Sequence, residues 1–147
     1  MAIVLLVALL PGPCLLGLPV SGPVVAPYAP QGSYGGHWGI DLAVAIGTPV
    51  RAAASGIVTF SGEVGGRSSV TIHHGGAVRT SYSYLGGRIV EEGVLVSRGE
   101  VVGTSGLDHG TPAVHFSLRV GNLYLNPEGA TCGSFAPGPG VRLAPAG

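Results

Sequence analysis

The chain has 147 residues, with seven basic and seven acidic side chains and a hydrophobic content of 46%. This length fits a single domain, and the apolar content argues against disorder along the whole chain. A net charge of zero without any basic cluster excludes a nucleic-acid-binding surface.

Residues 1–22 begin with the apolar run MAIVLLVALLPGPCLLGLPV, which contains no charged side chain. This composition is typical of a signal peptide, although the usual positive segment before the apolar core is missing. The alternative is an uncleaved N-terminal membrane anchor, although Pro11 and Pro13 would break a lone helix in the middle of the run. Both interpretations predict an extracytoplasmic protein that is secreted or associated with the cell envelope.

Residues 23–36 are rich in Pro, Gly, Tyr and Ser, and we predict a linker and a loop that leads into the domain. The domain itself is predicted over 37–127, and a disordered tail rich in Gly, Pro and Ala over 128–147. The composition of the domain predicts an all-β fold, a small antiparallel sandwich or barrel-like core, because short β-type runs alternate with turns about every ten residues. These runs lie at 40–45, 48–53, 56–60, 68–73, 78–84, 94–96, 100–102 and 114–120.

His37 and Asp41 are two candidate metal ligands separated by three residues. In a straight strand their side chains would stand about 13 Å apart, too far to share one ion. A zinc ion needs both ligand atoms at about 2.0–2.2 Å, so the segment must bend. Gly35, Gly36 and Gly39 permit such a bend and disfavour a helix. This spacing alone does not distinguish metal ligands from structural histidines.

Several further motifs occur in a fixed order along the domain. Together they resemble the core of lysostaphin-type zinc metallopeptidases, which cut peptidoglycan cross-links, from about Gly35 to Pro127. The motifs are HWGIDLAVA at 37–45, Gly47-Thr48-Pro49-Val50, Ala53-x-x-Gly56-x-Val58, His74-Gly75-Gly76, Arg79-Thr80-x-Tyr82, the glycine-rich stretch 90–106 and Val114-His115-Phe116.

The resemblance implies that Zn²⁺ is held by His37, Asp41 and His115. Three protein ligands with an open fourth position are typical of a catalytic zinc site. The resemblance also implies peptidoglycan peptides as the ligand of the domain.

The chain departs from this family at the two histidines that handle protons. Tyr84 stands at the end of the family's Y-x-H motif, and Ala113 stands at the start of its H-x-H motif. A positioned acid or base contributes about 10²–10⁴-fold to a rate, so the replacements predict lost or lowered activity. We interpret His74, which matches a family histidine outside the metal set, as structural.

His109 is the candidate for a substitute catalytic residue, because it lies in a glycine-flanked loop that frames the cleft in the family. Asp108 would orient its ring. The alternative for His109 is an exposed loop histidine without a chemical role.

Three hypotheses follow. The first is a zinc-binding domain that has lost activity and binds wall peptides or a cell-wall hydrolase. The second is a working endopeptidase with a substitute acid or base. The third is a metal-free regulatory or structural protein of the cell wall.

Overall fold

The computed structural model describes residues 15–131, so residues 1–14 of the predicted leader and residues 132–147 of the predicted tail lie outside the described residues. No helix within the described part has the length and hydropathy needed to cross a membrane. A short 3₁₀ helix (Pro127–Gly129) follows the last strand. The thirteen strands of residues 15–131 are β1 (Val24–Ala26), β2 (Ala29–Gln31), β3 (Gly35–His37), β4 (Ile40–Ala43), β5 (Pro49–Arg51), β6 (Gly56–Val64), β7 (Arg67–His73), β8 (Val78–Ser83), β9 (Leu85–Arg88), β10 (Leu95–Val96), β11 (Val101–Asp108), β12 (Thr111–Val120) and β13 (Leu123–Leu125).

Eleven of these strands form one antiparallel sheet. The order of its main strands is β1-β4-β12-β8-β7-β6-β10. Outside this order, β11 pairs with β12, β5 and β9, and β13 pairs with β12. Strands β2 and β3 form a separate two-stranded ribbon. The predicted all-β antiparallel fold is therefore confirmed.

Alternation of side chains along β12 separates the core from a polar face. Val114, Phe116 and Leu118 are buried in the core, whereas His115 and Arg119 point to the opposite face and are half-buried. Successive side chains of a strand point to opposite sides, so one strand serves both surfaces. The neighbouring strands continue the core with buried apolar residues, which include Ile40, Leu42, Val58, Val70, Ile72 and Tyr82.

A chain of hydrogen bonds crosses the core at Tyr82. The backbone N–H of Ala53 donates to the Tyr82 hydroxyl at 2.8 Å, and this hydroxyl contacts Thr80 Oγ1, also at 2.8 Å. Thr80 Oγ1 lies 2.7 Å from Nε2 of His74, whose Nδ1 lies 2.9 Å from the carbonyl oxygen of Ser55. The chain is complete when Nδ1 of a neutral His74 donates and Nε2 accepts. These contacts support the interpretation of His74 as structural.

The N-terminal boundary of the packed structure differs from the predicted one. Leu16 and Val20 are buried in the core, although the leader was predicted to extend to residue 22. Residues 23–36, predicted as a linker, contain β1, β2 and most of β3. Each of these strands has only three residues, too few for an alternating pattern to be visible in the sequence. Val24 pairs with Leu42 of β4, and this tertiary pairing fixes β1.

Burial lowers the pKa of His74 below its ordinary value near 6.5. As the pH falls below about 6.5, the unfolded chain takes up a proton first, so the stability contributed by neutral His74 is lost. We expect His74→Gln to reduce the drop in melting temperature between about pH 7.5 and pH 5.5. His73→Gln is the matched control, since His73 contacts the carbonyl oxygen of Gly76 outside the core. Equal pH dependence of the two variants would contradict this assignment.

Candidate metal centre

Three strands bring the predicted ligands together. His37 ends β3, the chain bends at Trp38 and Gly39, and Asp41 follows in β4. His115 lies directly opposite Asp41 in the antiparallel pairing of β12 with β4. The predicted bend between His37 and Asp41 is confirmed, and it lets residues four apart in sequence face one point.

The three ligand atoms form a compact triangle. His37 Nε2 lies 3.0 Å from Asp41 Oδ1 and 3.1 Å from His115 Nδ1, and the latter lies 2.8 Å from Asp41 Oδ1. Ligand atoms of a tetrahedral zinc at about 2.0–2.1 Å would stand about 3.3 Å apart, so displacements of a few tenths of an ångström admit the ion. The half-buried side chains thus fit a zinc site with one open side.

The carbonyl oxygen of Pro27 sets the orientation of His37. Nδ1 of this histidine lies 2.8 Å from that oxygen and donates to it, because a carbonyl oxygen can only accept. In the neutral ring Nε2 then presents a lone pair toward the Asp41 carboxylate, which is also an acceptor. Two acceptors that face each other need a cation or a proton between them. A hydrogen bond from the other ring nitrogen to a backbone carbonyl oxygen is typical of histidines that bind metals.

Gly39 allows β12 to approach the bend. A Cβ atom at this position would lie 2.5 Å from the carbonyl oxygen of Phe116 and 2.7 Å from Nε2 of His115. Real Cβ atoms do not approach backbone so closely, so a side chain here would push β12 or the His115 ring away. The absence of a side chain at Gly39 is therefore part of the ligand geometry.

The ligand triangle opens onto a groove of about 790 Å³. Its floor is the polar face of the central sheet, where small hydroxyl side chains alternate with the buried residues of the core. Trp38 and Tyr124 form an edge-to-face pair beside it, with ring centroids 5.7 Å apart. The hydroxyl residues of the groove are Thr59, Ser69, Thr71, Ser81, Ser83 and Ser117.

Residues 35–127 match Peptidase family M23. The chain belongs to this family. The match spans β3 to the end of β13 and includes all three predicted ligands, so the resemblance of the sequence to this family is confirmed.

Among related M23 proteins, the DD-carboxypeptidase/endopeptidase Mpg of Neisseria meningitidis is 42% identical over 95 residues, which are 62% of this chain and 22% of that protein. The peptidoglycan DD-endopeptidase ShyC of Vibrio cholerae is 33% identical over 99 residues, 63% of this chain and 22% of that protein. The chain therefore spans about a fifth of the length of each of these two curated relatives.

Solved M23 structures share the fold. The catalytic domain of lysostaphin from Staphylococcus simulans has a TM-score of 0.60 and 30% identity, over 72% of this chain and 86% of that chain. A zinc-containing peptidase from Vibrio cholerae has a TM-score of 0.62 and 25% identity, over 74% of this chain and 37% of that chain. These similarities place the chain in a peptidoglycan-directed family of metallopeptidases.

Tyr84 and Ala113, the two positions at which the sequence was interpreted as departing from the family motifs, lie near the predicted ligand His115. The Tyr84 ring is 6.4 Å from the His115 ring, and its hydroxyl accepts a hydrogen bond of 3.1 Å from Arg67. Tyr84 has a φ of 61°, a left-handed conformation that is rare for a residue with a side chain. Ala113 precedes His115 by two residues in β12 and therefore faces the same side of the sheet.

His109 and Asp108 form a second pair near the ligands. Nδ1 of His109 lies 2.6 Å from the Asp108 carboxylate, as expected of an orienting residue, and Nε2 lies 3.4 Å from the Tyr84 hydroxyl. The side chain of His109 is 82% exposed, and that of Asp108 is 5% exposed. His109 is thus connected to the ligands through Tyr84 and Asp108.

Asp108 lies beside Asp41, one of the predicted ligands, in addition to its predicted contact with His109. Burial raises its pKa, and the neighbouring Asp41 carboxylate raises it further. Burial also raises the pKa of Asp41, but hydrogen bonds from His115 and Asp108 outweigh this effect and lower it overall. Asp108 and Asp41 are far apart in the sequence, and the pairing of β11 with β12 brings them together. The sequence therefore contained no local signal that they are neighbours.

Substitution of Gly39 tests the close approach of β12 to the bend. We expect Gly39→Ala to weaken zinc binding about 10-fold or more, because its Cβ displaces the His115 ring. Gly129→Ala is the matched control, since a Cβ at that position would have no atom within 4 Å. Isothermal titration of the metal-free proteins with zinc measures the difference. Equal affinity in the two variants would show that the ring tolerates the added methyl group.

Proposed function

We propose that this protein is an exported, zinc-binding member of the M23 family that binds peptidoglycan peptides and has lost or greatly lowered peptidase activity. The observation that carries the proposal is a ligand triangle with a fixed histidine tautomer beside two positions, Tyr84 and Ala113, that lack the family's proton-handling histidines. Export rests on the apolar N-terminal run, as a signal peptide or an anchor.

The residues that would hold zinc are His37, Asp41 and His115. When bound, zinc would act as a Lewis acid that polarises a peptide carbonyl. The protein supplies the orientation: Pro27 fixes the ring of His37, and the β4–β12 pairing holds Asp41 against His115. These residues would hold zinc in the same way whether or not the protein cleaves a substrate.

Proton transfer is the missing part of the chemistry. A methyl group at Ala113 exchanges no proton, and the Tyr84 hydroxyl is engaged by Arg67. Cleavage of an amide requires a proton for the leaving amine, so the loss of both histidines removes about 10²–10⁴-fold per group. The protein would then retain the groove as a binding surface for a wall peptide or for a cell-wall hydrolase.

A working endopeptidase is the second candidate function. His109 is oriented by Asp108 and reaches the Tyr84 hydroxyl, which makes it the nearest substitute proton carrier on the groove. Its large exposure argues against a tuned catalytic role. In the metal-free alternative, a proton on Nε2 of His37 would have to take the place of the cation between this ring and the Asp41 carboxylate.

Metal content tests the zinc site. We expect the full chain, saturated with zinc and then desalted, to retain about one zinc per molecule by elemental analysis. His115→Ala removes one of three ligands and should retain less than about a tenth of that amount. His73→Ala removes an imidazole outside the site and should bind zinc as the wild type does. Absence of stoichiometric zinc in the wild type would exclude the metal-binding function.

Restoration of the two histidines tests the account of lost activity. We expect Tyr84→His combined with Ala113→His to increase zinc-dependent release of peptides from purified cell walls about 10²-fold or more. The control with Asn at both positions is polar but transfers no proton at neutral pH. Mass spectrometry of the released peptides gives the rate, and zinc content and melting temperature verify the fold.

Two results would contradict this account. A folded and zinc-loaded double variant that remains inert would show that further groups are missing. Zinc-dependent cleavage by the wild type that disappears in His109→Ala would instead support the working endopeptidase.

A further inference from the structure

The floor of the groove consists of rows of side chains that face each other across neighbouring strands. In the first row His115 lies opposite Ser83, which lies opposite Ser69. In the second row Ser117 lies opposite Ser81, which lies opposite Thr71 and contacts it at 2.8 Å. All these side chains line the same groove.

The third row contains two arginines in direct opposition. Arg119 of β12 faces Arg79 of β8, and both are half-buried. Like charges directly opposite each other on neighbouring strands destabilise a sheet. The protein therefore places two positive charges together at a cost in stability.

The contacts of these two arginines do not neutralise their charge. Arg79 donates to the carbonyl oxygen of Gly121 at 3.2 Å, and the guanidinium of Arg119 lies 5.4 Å from the centroid of the Tyr124 ring. Among the described residues that line the groove, the acidic ones are Asp41 and Asp108 at the metal centre. The third row is thus a cationic site that has no carboxylate of its own.

The spacing between the first and third rows matches a short peptide. His115 and Arg119 are four residues apart on β12, which corresponds to about 13 Å at about 3.3 Å per residue. An extended peptide of about four residues has the same length, and the hydroxyl groups of the second row can bond its backbone. The guanidinium group presents donors in a planar fork that matches a carboxylate.

We propose that Arg79 and Arg119 form a carboxylate-binding subsite, which holds an acidic group of the bound wall peptide about four residues from the metal centre. This inference rests on the proposed function, since it takes a wall peptide as the occupant of the groove. A phosphate-bearing polymer would also neutralise the two guanidinium groups. It would not account for the distance of about four residues between the arginines and the predicted metal ligands, which matches a short peptide.

The test uses soluble muropeptides released from purified cell walls by a glycan-cleaving enzyme. One portion keeps its carboxyl groups, and a second portion has them converted chemically to amides. Binding of both portions to the zinc-loaded full chain is measured by titration calorimetry. We expect the native portion to bind about 10- to 100-fold more tightly than the amidated one.

Arg79→Gln with Arg119→Gln should weaken binding of the native portion by a similar factor and remove its advantage over the amidated portion. Arg51→Gln with Arg88→Gln is the matched control, since it changes the net charge equally and its arginines do not line the groove. Zinc content and melting temperature of each variant separate a binding effect from misfolding.

Several outcomes would overturn the subsite. Equal binding of native and amidated muropeptides, or equal losses in the two double variants, would do so while leaving the proposed function intact. Arginine-dependent binding of a polyphosphate without any preference among muropeptides would assign the site to another ligand. If the wild type binds no muropeptide, the proposed function fails as well.

Discussion

The register between β4 and β12 is the constraint on which the rest of the structure depends. It places His115 opposite Asp41 on one face, while Phe116 and Val114 enter the core on the other. Because side chains alternate, a slip by one residue would bury His115 and expose Phe116. The same hydrophobic burial that stabilises the fold therefore holds the metal ligands in position. No separate loop conformation is needed to align Asp41 with His115, and only His37 depends on a bend.

The candidate ligands and the two positions at which the chain departs from the family motifs are held by different parts of the structure. The ligands are fixed by strand pairing and by a backbone carbonyl, which are features of the fold itself. Tyr84 and Ala113, the two positions on which the proposed loss of proton transfer rests, contribute no atom to the ligand triangle. Tyr84 has a left-handed backbone conformation, and its hydroxyl accepts a hydrogen bond from Arg67. Under the proposed function, loss of turnover would leave the candidate metal-binding site and the groove in place.

The sequence predicted most of the strands from Ile40 onward, because alternating apolar residues are a local signal, and its ordered motifs indicated His37, Asp41 and His115 as candidate ligands. It did not predict β9 and β13, which have only four and three residues. It did not predict the short strands β1–β3, whose pairing depends on distant residues. The partner of His37 is a carbonyl oxygen at Pro27, and backbone acceptors leave no mark in a sequence. Asp108 was interpreted only as a partner of His109, whereas its burial beside Asp41 follows from the β11–β12 pairing. Gly39 was expected to permit a bend, and the structure adds that it gives room to His115.

Charge is distributed unequally along the groove, and this asymmetry bears on how a peptide would lie in it. The carboxyl groups of Asp41 and Asp108 lie at the candidate metal centre, where His37 and His115 contact Asp41 and His109 contacts Asp108. The guanidinium groups of Arg79 and Arg119 lie two rows away and have no such compensation. In the proposed complex, a peptide whose carboxylate lies between Arg79 and Arg119 would direct that group away from the candidate metal centre. The proposed subsite would thus favour one orientation of an acidic peptide, while the hydroxyl side chains between the two ends of the groove carry no charge.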